Sequence, residues 1–463
     1  MRMLLFLVAA LLWPLTTKAA ALPNIVFVLF DDLGYGQPPC YAPETRFKLP
    51  NLDRLAAEGM RFTDAHSASA VCTPTRYGVM TGRYPWRIGQ FGVLTTYSPP
   101  IIPTTRTTVA SLLKQQGYAT ACIGKWHLGM NWVDGKPGSE SEVPIGARMT
   151  DGPNALGFDY FYGFTHARNI GTIIEQDAVV AHVQPDENQP LMIKKAVEWI
   201  GQRAQEKDRP FFLYYPMCPP HTPVAPSAEF IGKSGAEDIV KHDPKYGDWI
   251  LQGDDMLGQI LDALEQGGVA DNTLVIATAD NGAEGRPYPP LRDAKRSIHE
   301  GGHRVPFIAR WPGKVEAGSV NAHTVCLNDL IATAAELTGT TLPPGAGEDS
   351  VSLLPELLGK AGEGARDFTV HQSMAGDLAI RQGPWKLIFK VDGSRELYRL
   401  DNDLGETKDL ASSQPDIVDQ LETKLREQIN TGRSTPGDAQ ANEFTPSLDG
   451  KSAKKKKGGK KAK

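Results

Sequence analysis

Two pairs of neighbouring residues raise the first chemical question. Asp31-Asp32 directly follows the apolar run Ile25-Val26-Phe27-Val28-Leu29-Phe30, and Asp280-Asn281 follows Leu274 to Ala279. Adjacent carboxylates at the end of a buried strand repel each other unless a cation or several donors compensate them. Three carboxylates and an amide oxygen are hard ligands, suited to Ca²⁺ or Mg²⁺ rather than zinc. Nor does any Cys/His cluster have zinc spacing. Taken singly, each pair reads as a helix cap or loop anchor. Two such pairs, both at strand ends, point to a metal.

A third feature is Cys72-Thr73-Pro74-Thr75-Arg76. Pro74 suits the first turn of a helix through Tyr77 to Met80, and Gly82 ends it. Cys72 then lies at the helix N-terminus, where the dipole and free N–H groups favour an anion. On spacing alone, a lone cysteine there is more often a small buried residue than a nucleophile.

These residues need a frame, and the sequence supplies one. Ile25 to Phe30, Tyr118 to Ile123, Pro210 to Tyr215, Leu274 to Ala279 and Val305 to Arg310 read as buried strands. Helices alternate with them: one capped by Asn51, one over Val109 to Leu113 ended by Gly117, one over Met256 to Leu264. This grammar predicts an α/β fold with a large, mostly parallel central sheet flanked by helices. Asp31, Lys125, His127, His221 and Asp280 all follow such strands, at the edge where open α/β sheets bind ligands. Beyond residue 360 the texture changes. Phe368–Gln372, Leu378–Arg381, Trp385–Phe389 and Glu396–Leu400 predict a smaller antiparallel sheet, and Ile417 to Ile429 an amphipathic helix.

The chain has 463 residues, 41% of them hydrophobic, so a large core is available. Residues 1–21 read as a signal peptide: Arg2, an apolar stretch from Leu4 to Leu15, then Ala19-Ala20-Ala21. That stretch is too short to span a bilayer well, and no other is long enough. The reading is an exported protein, periplasmic or extracellular, with no membrane span. Five cysteines (40, 72, 122, 218, 326) are too sparse for a disulfide scaffold. Lys451 to Lys463 holds eight lysines and no acid, so residues 441–463 read as a disordered, solvated tail. Removing those eight with Arg2 and Lys18 leaves 39 of the 49 basic residues against 54 acidic ones, a body of −15. No nucleic-acid partner is expected. The remaining boundaries are a catalytic domain over 22–360 and a C-terminal subdomain over 361–440.

The Cys-x-Pro-x-Arg run, followed by Thr81-Gly82-Arg83, resembles the signature of the type I, formylglycine-dependent sulfatases of the alkaline phosphatase superfamily. Other segments resemble that family in order: Asn24 to Gly36 with Asp31-Asp32, Gly117 to Gly129 with Lys125 and His127, and Pro220-His221-Thr222-Pro223. Asp280-Asn281-Gly282, Lys295 with Glu300 to Pro306, and Glu396-Leu397-Tyr398 with Gly405-Glu406-Thr407 complete the series. One departure is Gln37-Pro38-Pro39-Cys40, where many relatives carry an acidic residue and glycines. It removes none of the expected ligands.

The resemblance implies a sulfatase acting on a sulfated carbohydrate or an aryl sulfate. A separate maturation enzyme would oxidise Cys72 to formylglycine (3-oxoalanine). Asp31, Asp32, Asp280, Asn281 and the modified Cys72 would surround one Ca²⁺ rather than Mg²⁺. Arg76 would hold the formylglycine, while Lys125, His221 and Lys295 would contact the sulfate and leaving oxygen. His127 would take the proton of the hydrated aldehyde. Alternatives are a phosphate or phosphonate monoester hydrolase of the same superfamily, or a non-catalytic binding protein on this fold. His66, His166, His242, His299, His303 and His371 each read singly as structural, although His303 lies within the lysine segment.

Overall fold

The computed structural model describes residues 22–45, 47–235, 245–360 and 366–450. The expected signal peptide, His242 and the run from Lys451 lie outside these residues. A ten-stranded sheet forms the centre. Five parallel strands occupy its middle, in the order Thr273–Ala279, Asn24–Asp31, Phe211–Pro220, Ala119–Lys125, Tyr160–Phe164. Each is almost wholly buried, as expected for strands covered on both faces by helices. Asn24 ties three of them together at their N-terminal ends. Its Nδ2 donates to Thr273 Oγ1 at 3.2 Å, and its Oδ1 accepts from Phe211 N at 3.0 Å.

The flanks differ from the mostly parallel expectation. Phe307–Arg310 runs antiparallel to Thr273–Ala279, and Thr172–Glu175 runs antiparallel to Tyr160–Phe164. The sheet is therefore mixed, parallel at its centre and largely antiparallel towards its edges. The two short flanking strands lack the long helical crossover that a parallel connection needs.

The helix over Pro50–Glu58 corrects one local expectation. Asn51 does not cap it; the helix begins at Pro50, whose missing N–H suits a first helical position. The cap comes from the long helix Tyr246–Gln266. Asp254 accepts the N–H of Asn51 at 3.0 Å and of Leu52 at 2.8 Å.

A second, four-stranded antiparallel sheet follows, with Thr369–Gln372, Leu378–Gln382, Trp385–Phe389 and Arg395–Arg399 in chain order. The helix Pro415–Thr431 covers it through Leu421, Leu425 and Ile429. Its core also takes in Ala68, Tyr84, Trp86 and Cys326 from the main body. Residues 441–450, which the sequence groups with the Lys-rich tail, pack against this body instead. Leu448 is buried, Phe444 meets Phe91 edge-on at 5.6 Å, and Glu443 N and Phe444 N donate to Arg87 O at 2.9 Å. Apolar side chains here have somewhere to go. All five cysteines are free thiols. Among the described residues no helix is long and apolar enough to cross a membrane.

Candidate active site

Strand register assembles the site. Phe30 pairs with Ala279, so Asp31 and Asp280 leave their strands side by side. Asp31 itself pairs with Pro220, which brings His221 next to them. Lys125 ends the strand beyond, after Gly124, which adopts φ 130°. A Cβ on Gly124 would lie 2.2 Å from the carbonyl oxygen of Pro216, so only glycine fits there.

The helix Cys72–Thr81 meets this edge with its N-terminus and is buried along its whole length. Gly82 ends it in the left-handed region at φ 66°. Cys72 Sγ lies 3.4 Å from Asp31 Oδ1 and 4.0 Å from Asp32 Oδ1. One turn on, Arg76 donates to Asp280 Oδ2 from Nε at 3.1 Å and Nη2 at 2.8 Å, and to Lys125 O from Nη1 at 2.9 Å. Lys125 Nζ pairs with Asp31 Oδ2. Lys295 Nζ lies 2.7 Å from Asp32 Oδ2 and 2.6 Å from its Oδ1. His221 Nε2 stands 3.7 Å from Asp32 Oδ2. Its loop is held by Trp249, whose Nε1 donates to His221 O at 3.0 Å.

The electrostatics follow from burial and neighbours. Burial alone would raise Asp31, but Lys125, His221, Arg76 and Lys295 together hold it well below the usual carboxylate range. Asp280, equally buried and facing the Asp31 charge, is pushed up to about 7. Two carboxylates that cannot ionise together easily are the arrangement a divalent cation relieves. Burial opposes the charges on Lys125 and Lys295, yet Asp31 and Asp32 outweigh it, and both remain ammonium ions. Burial, then Asp280, pushes the Cys72 thiol well up, so the encoded side chain is a neutral thiol. Such a group is a poor nucleophile.

The donor set fits a hard metal ion. Ligand atoms of Asp31, Asp32, Cys72 and His221 lie within 4.8 Å of one another. Asn281 Nδ2 donates to Asp32 Oδ1 at 2.7 Å and Gly282 O at 2.9 Å. That leaves Asn281 Oδ1 buried without a partner. An unpaired carbonyl oxygen beside three carboxylates is an oxygen cage wanting a cation.

His127 adopts φ 58° at the same edge. Its Nε2 lies 3.0 Å from Leu94 O, which makes that nitrogen the donor. Nδ1 is then a free lone pair, buried and unpartnered. Burial, then Lys125, keeps this imidazole neutral. His303 stands elsewhere, among His66, His371 and Lys386.

Sequence and architecture are those of known proteins. The sulfatase family model matches residues 23–340. The chain belongs to the sulfatase family. An N-acetylgalactosamine-6-O-sulfatase of Bacteroides thetaiotaomicron is 31% identical, over 88% of this chain and 93% of its own. Human arylsulfatase A is 34% identical, over 80% of this chain and 76% of its own. A solved 6S-sulf structure from glycosaminoglycan metabolism in B. thetaiotaomicron superposes with a TM-score of 0.78, at 30% identity, covering 88% of this chain and 98% of that one. This sulfatase is a sulfuric ester hydrolase, and the expected α/β frame with its second antiparallel sheet is the one found.

Two neighbours of the site escape a sequence reading. Glu284 meets Lys295 Nζ at 3.6 Å and also pairs with Arg296. His166 stacks on His127 with ring centroids 5.6 Å apart. Glu284 follows Asn281 by three residues, a weak hint. His166 reads as structural in the sequence, because only the fold brings it to His127.

Proposed function

We propose that this sulfatase hydrolyses a sulfate ester on a carbohydrate, using formylglycine made from Cys72 and one Ca²⁺. The observation that carries this reading is the placement of Cys72: at a buried helix N-terminus, 3.4 Å from Asp31, encircled by Arg76, Lys125 and Lys295. A neutral thiol there makes little chemical sense; a hydrated aldehyde does, since it offers one hydroxyl to take up the sulfuryl group and a second whose deprotonation releases sulfate. Asp31, Asp32, Asp280, Asn281 and the modified Cys72 would hold the Ca²⁺, which supplies positive charge for an anionic ester.

The chain's own residues do the rest. Three carboxylates (Asp31, Asp32, Asp280) face three cations (Arg76, Lys125, Lys295), so the divalent ion leaves the site net positive towards a sulfate group. Lys125 and Lys295 bind the sulfate oxygens, and they act strongly because the site is buried. Arg76 fixes Asp280 and the residue at position 72. Lys295, an ammonium ion, delivers a proton to the departing sugar oxygen, and His221, the more exposed histidine, stands beside it to orient that oxygen. His127 Nδ1 takes up the proton of the second hydroxyl. The apolar start of the chain, ending in Ala19-Ala20-Ala21, supports export.

Protein co-expressed with a formylglycine-generating maturation enzyme should turn over sulfated mono- and oligosaccharides faster than matching phosphate esters. The tryptic peptide ending at Arg76 should carry the aldehyde in active protein. Full activity with only unmodified Cys72 in that peptide would sink the mechanism.

A further inference from the structure

Beside Lys295 lies a cavity of about 560 Å³. Its size falls in the range of roughly 300–1,000 Å³ typical of ligand sites. One wall is the segment Asp293 to His299; the facing wall is the turn around Ser373 and Asp377, with Lys390. The first wall carries Lys295, so the cavity connects through one side chain to the carboxylates of the reaction centre.

The backbone of Arg296 holds these parts in register. Its N–H donates to Ala70 O at 2.8 Å, two residues before Cys72. Its carbonyl accepts the N–H of Met374 at 3.1 Å, in the facing wall. Both Arg296 and Asp293 sit in the left-handed region, at φ 80° and 62°. Non-glycine residues keep such conformations where the surroundings impose them, often at binding sites. Asp293 is fixed further by Ser297 Oγ at 2.8 Å and His299 Nδ1 at 2.7 Å. In the other wall, Asp377 accepts from Ser373 Oγ and Val391 N, each at 3.0 Å.

The Arg296 guanidinium is held differently. Its side chain is 53% exposed and, among the described residues, pairs only with Glu284, which is drawn towards Lys295 as well. An exposed ion pair of this kind contributes little and exchanges partners easily. Its planar fork suits a carboxylate or a sulfate. We propose that this cavity receives the sugar carrying the scissile sulfate, and that Arg296 reads a second anionic group on that saccharide. The C-terminal sheet thereby becomes part of the specificity machinery. This inference rests on the carbohydrate sulfatase reading above.

Binding can test it without turnover. Cys72→Ala protein, loaded with Ca²⁺, is titrated by calorimetry with three sulfated disaccharides: one otherwise neutral, one with a uronic carboxylate, one with a second sulfate. Adding Arg296→Gln should weaken binding of an acidic ligand about tenfold and the neutral one far less. Arg296→Lys should fall between, since it keeps charge but loses the fork. Which acidic ligand is hit identifies the group read. Equal weakening of all three ligands, or none, overturns the proposal. Hydrolysis by the formylglycine-bearing protein tests the parent reading separately, so the two can fail independently.

Discussion

The Arg76 guanidinium closes on a single carboxylate oxygen, Asp280 Oδ2, from Nε at 3.1 Å and Nη2 at 2.8 Å. The pair is wholly buried. It ties the helix carrying Cys72 to the strand end carrying Asp280 and Asn281. The proposed nucleophile and half of the proposed metal cage are therefore aligned by one two-pronged contact.

Arg76→Lys keeps the charge but loses the fork. We expect kcat/KM to fall at least about 100-fold, on the scale of losing a well-placed transition-state donor. Arg76→Ala should also destabilise the fold by about 3–5 kcal/mol, because Asp280 is left buried and unpaired. Steady-state kinetics and calorimetric melting check the two effects. Near-normal turnover by Arg76→Lys would remove Arg76 from the reaction.

The unpartnered Asn281 Oδ1 and the strained Asp31–Asp280 pair predict that Ca²⁺ binding stabilises the protein. At a concentration of 100 Kd the gain is about 2.7 kcal/mol. Chelation should lower Tm, and Ca²⁺ should restore it more fully than Mg²⁺, whose octahedral demand is stricter. Asp32→Asn should abolish the Ca²⁺-dependent shift. A Tm indifferent to chelator and to added Ca²⁺ would contradict the cage.

Much of this site was legible in the sequence because each polar group directly follows a buried strand. Ile25 to Phe30 and Leu274 to Ala279 announce strands by composition, and Asp31 and Asp280 come next in line. What composition does not carry is register. The pairing of Phe30 with Ala279 and of Asp31 with Pro220 is a tertiary fact, and it alone brings His221 to Asp32. The antiparallel setting of Phe307–Arg310 was hidden for the same reason: a short apolar run looks alike in either direction. Asp254 shows a third limit. A helix cap supplied from a residue two hundred positions away, through the N–H groups of Asn51 and Leu52, leaves no local motif.

Arg87 and Asp349 form a second buried pair, away from the chemistry. Nε donates to Oδ2 at 2.8 Å and Nη2 to Oδ1 at 2.7 Å. Tyr84 N also donates to Asp349 Oδ2, at 2.7 Å. Arg87 reaches on to Gln428 O at 2.9 Å, so the pair links the body to the C-terminal helix. Asp349→Ala strands the guanidinium without its carboxylate. We expect a loss of about 3–5 kcal/mol in stability, with KM unchanged at temperatures where the variant is folded. Denaturant unfolding beside steady-state kinetics separates these; a raised KM with normal stability would refute the purely structural role.

Stability should also depend on histidines that the fold keeps neutral. Burial, reinforced by Lys125 and Arg168, pushes His166 down to about 4. Burial likewise lowers His66, His303 and His371, whose rings cluster together. In the unfolded chain these imidazoles return to about 6.5. Between pH 6.5 and 4 the unfolded state therefore binds more protons than the native one. Stability is fully present above 6.5 and declines as the pH falls towards 4. For His166 alone the loss is about 3 kcal/mol across that window. His166→Gln should flatten the fall of Tm between pH 6.5 and 4, since glutamine takes up no proton and can still bond Thr96 Oγ1, now 2.9 Å from His166 Nε2. Near pH 8 the variant should melt close to the parent. A slope identical to the parent's would show that His166 already titrates near its ordinary value in the folded protein.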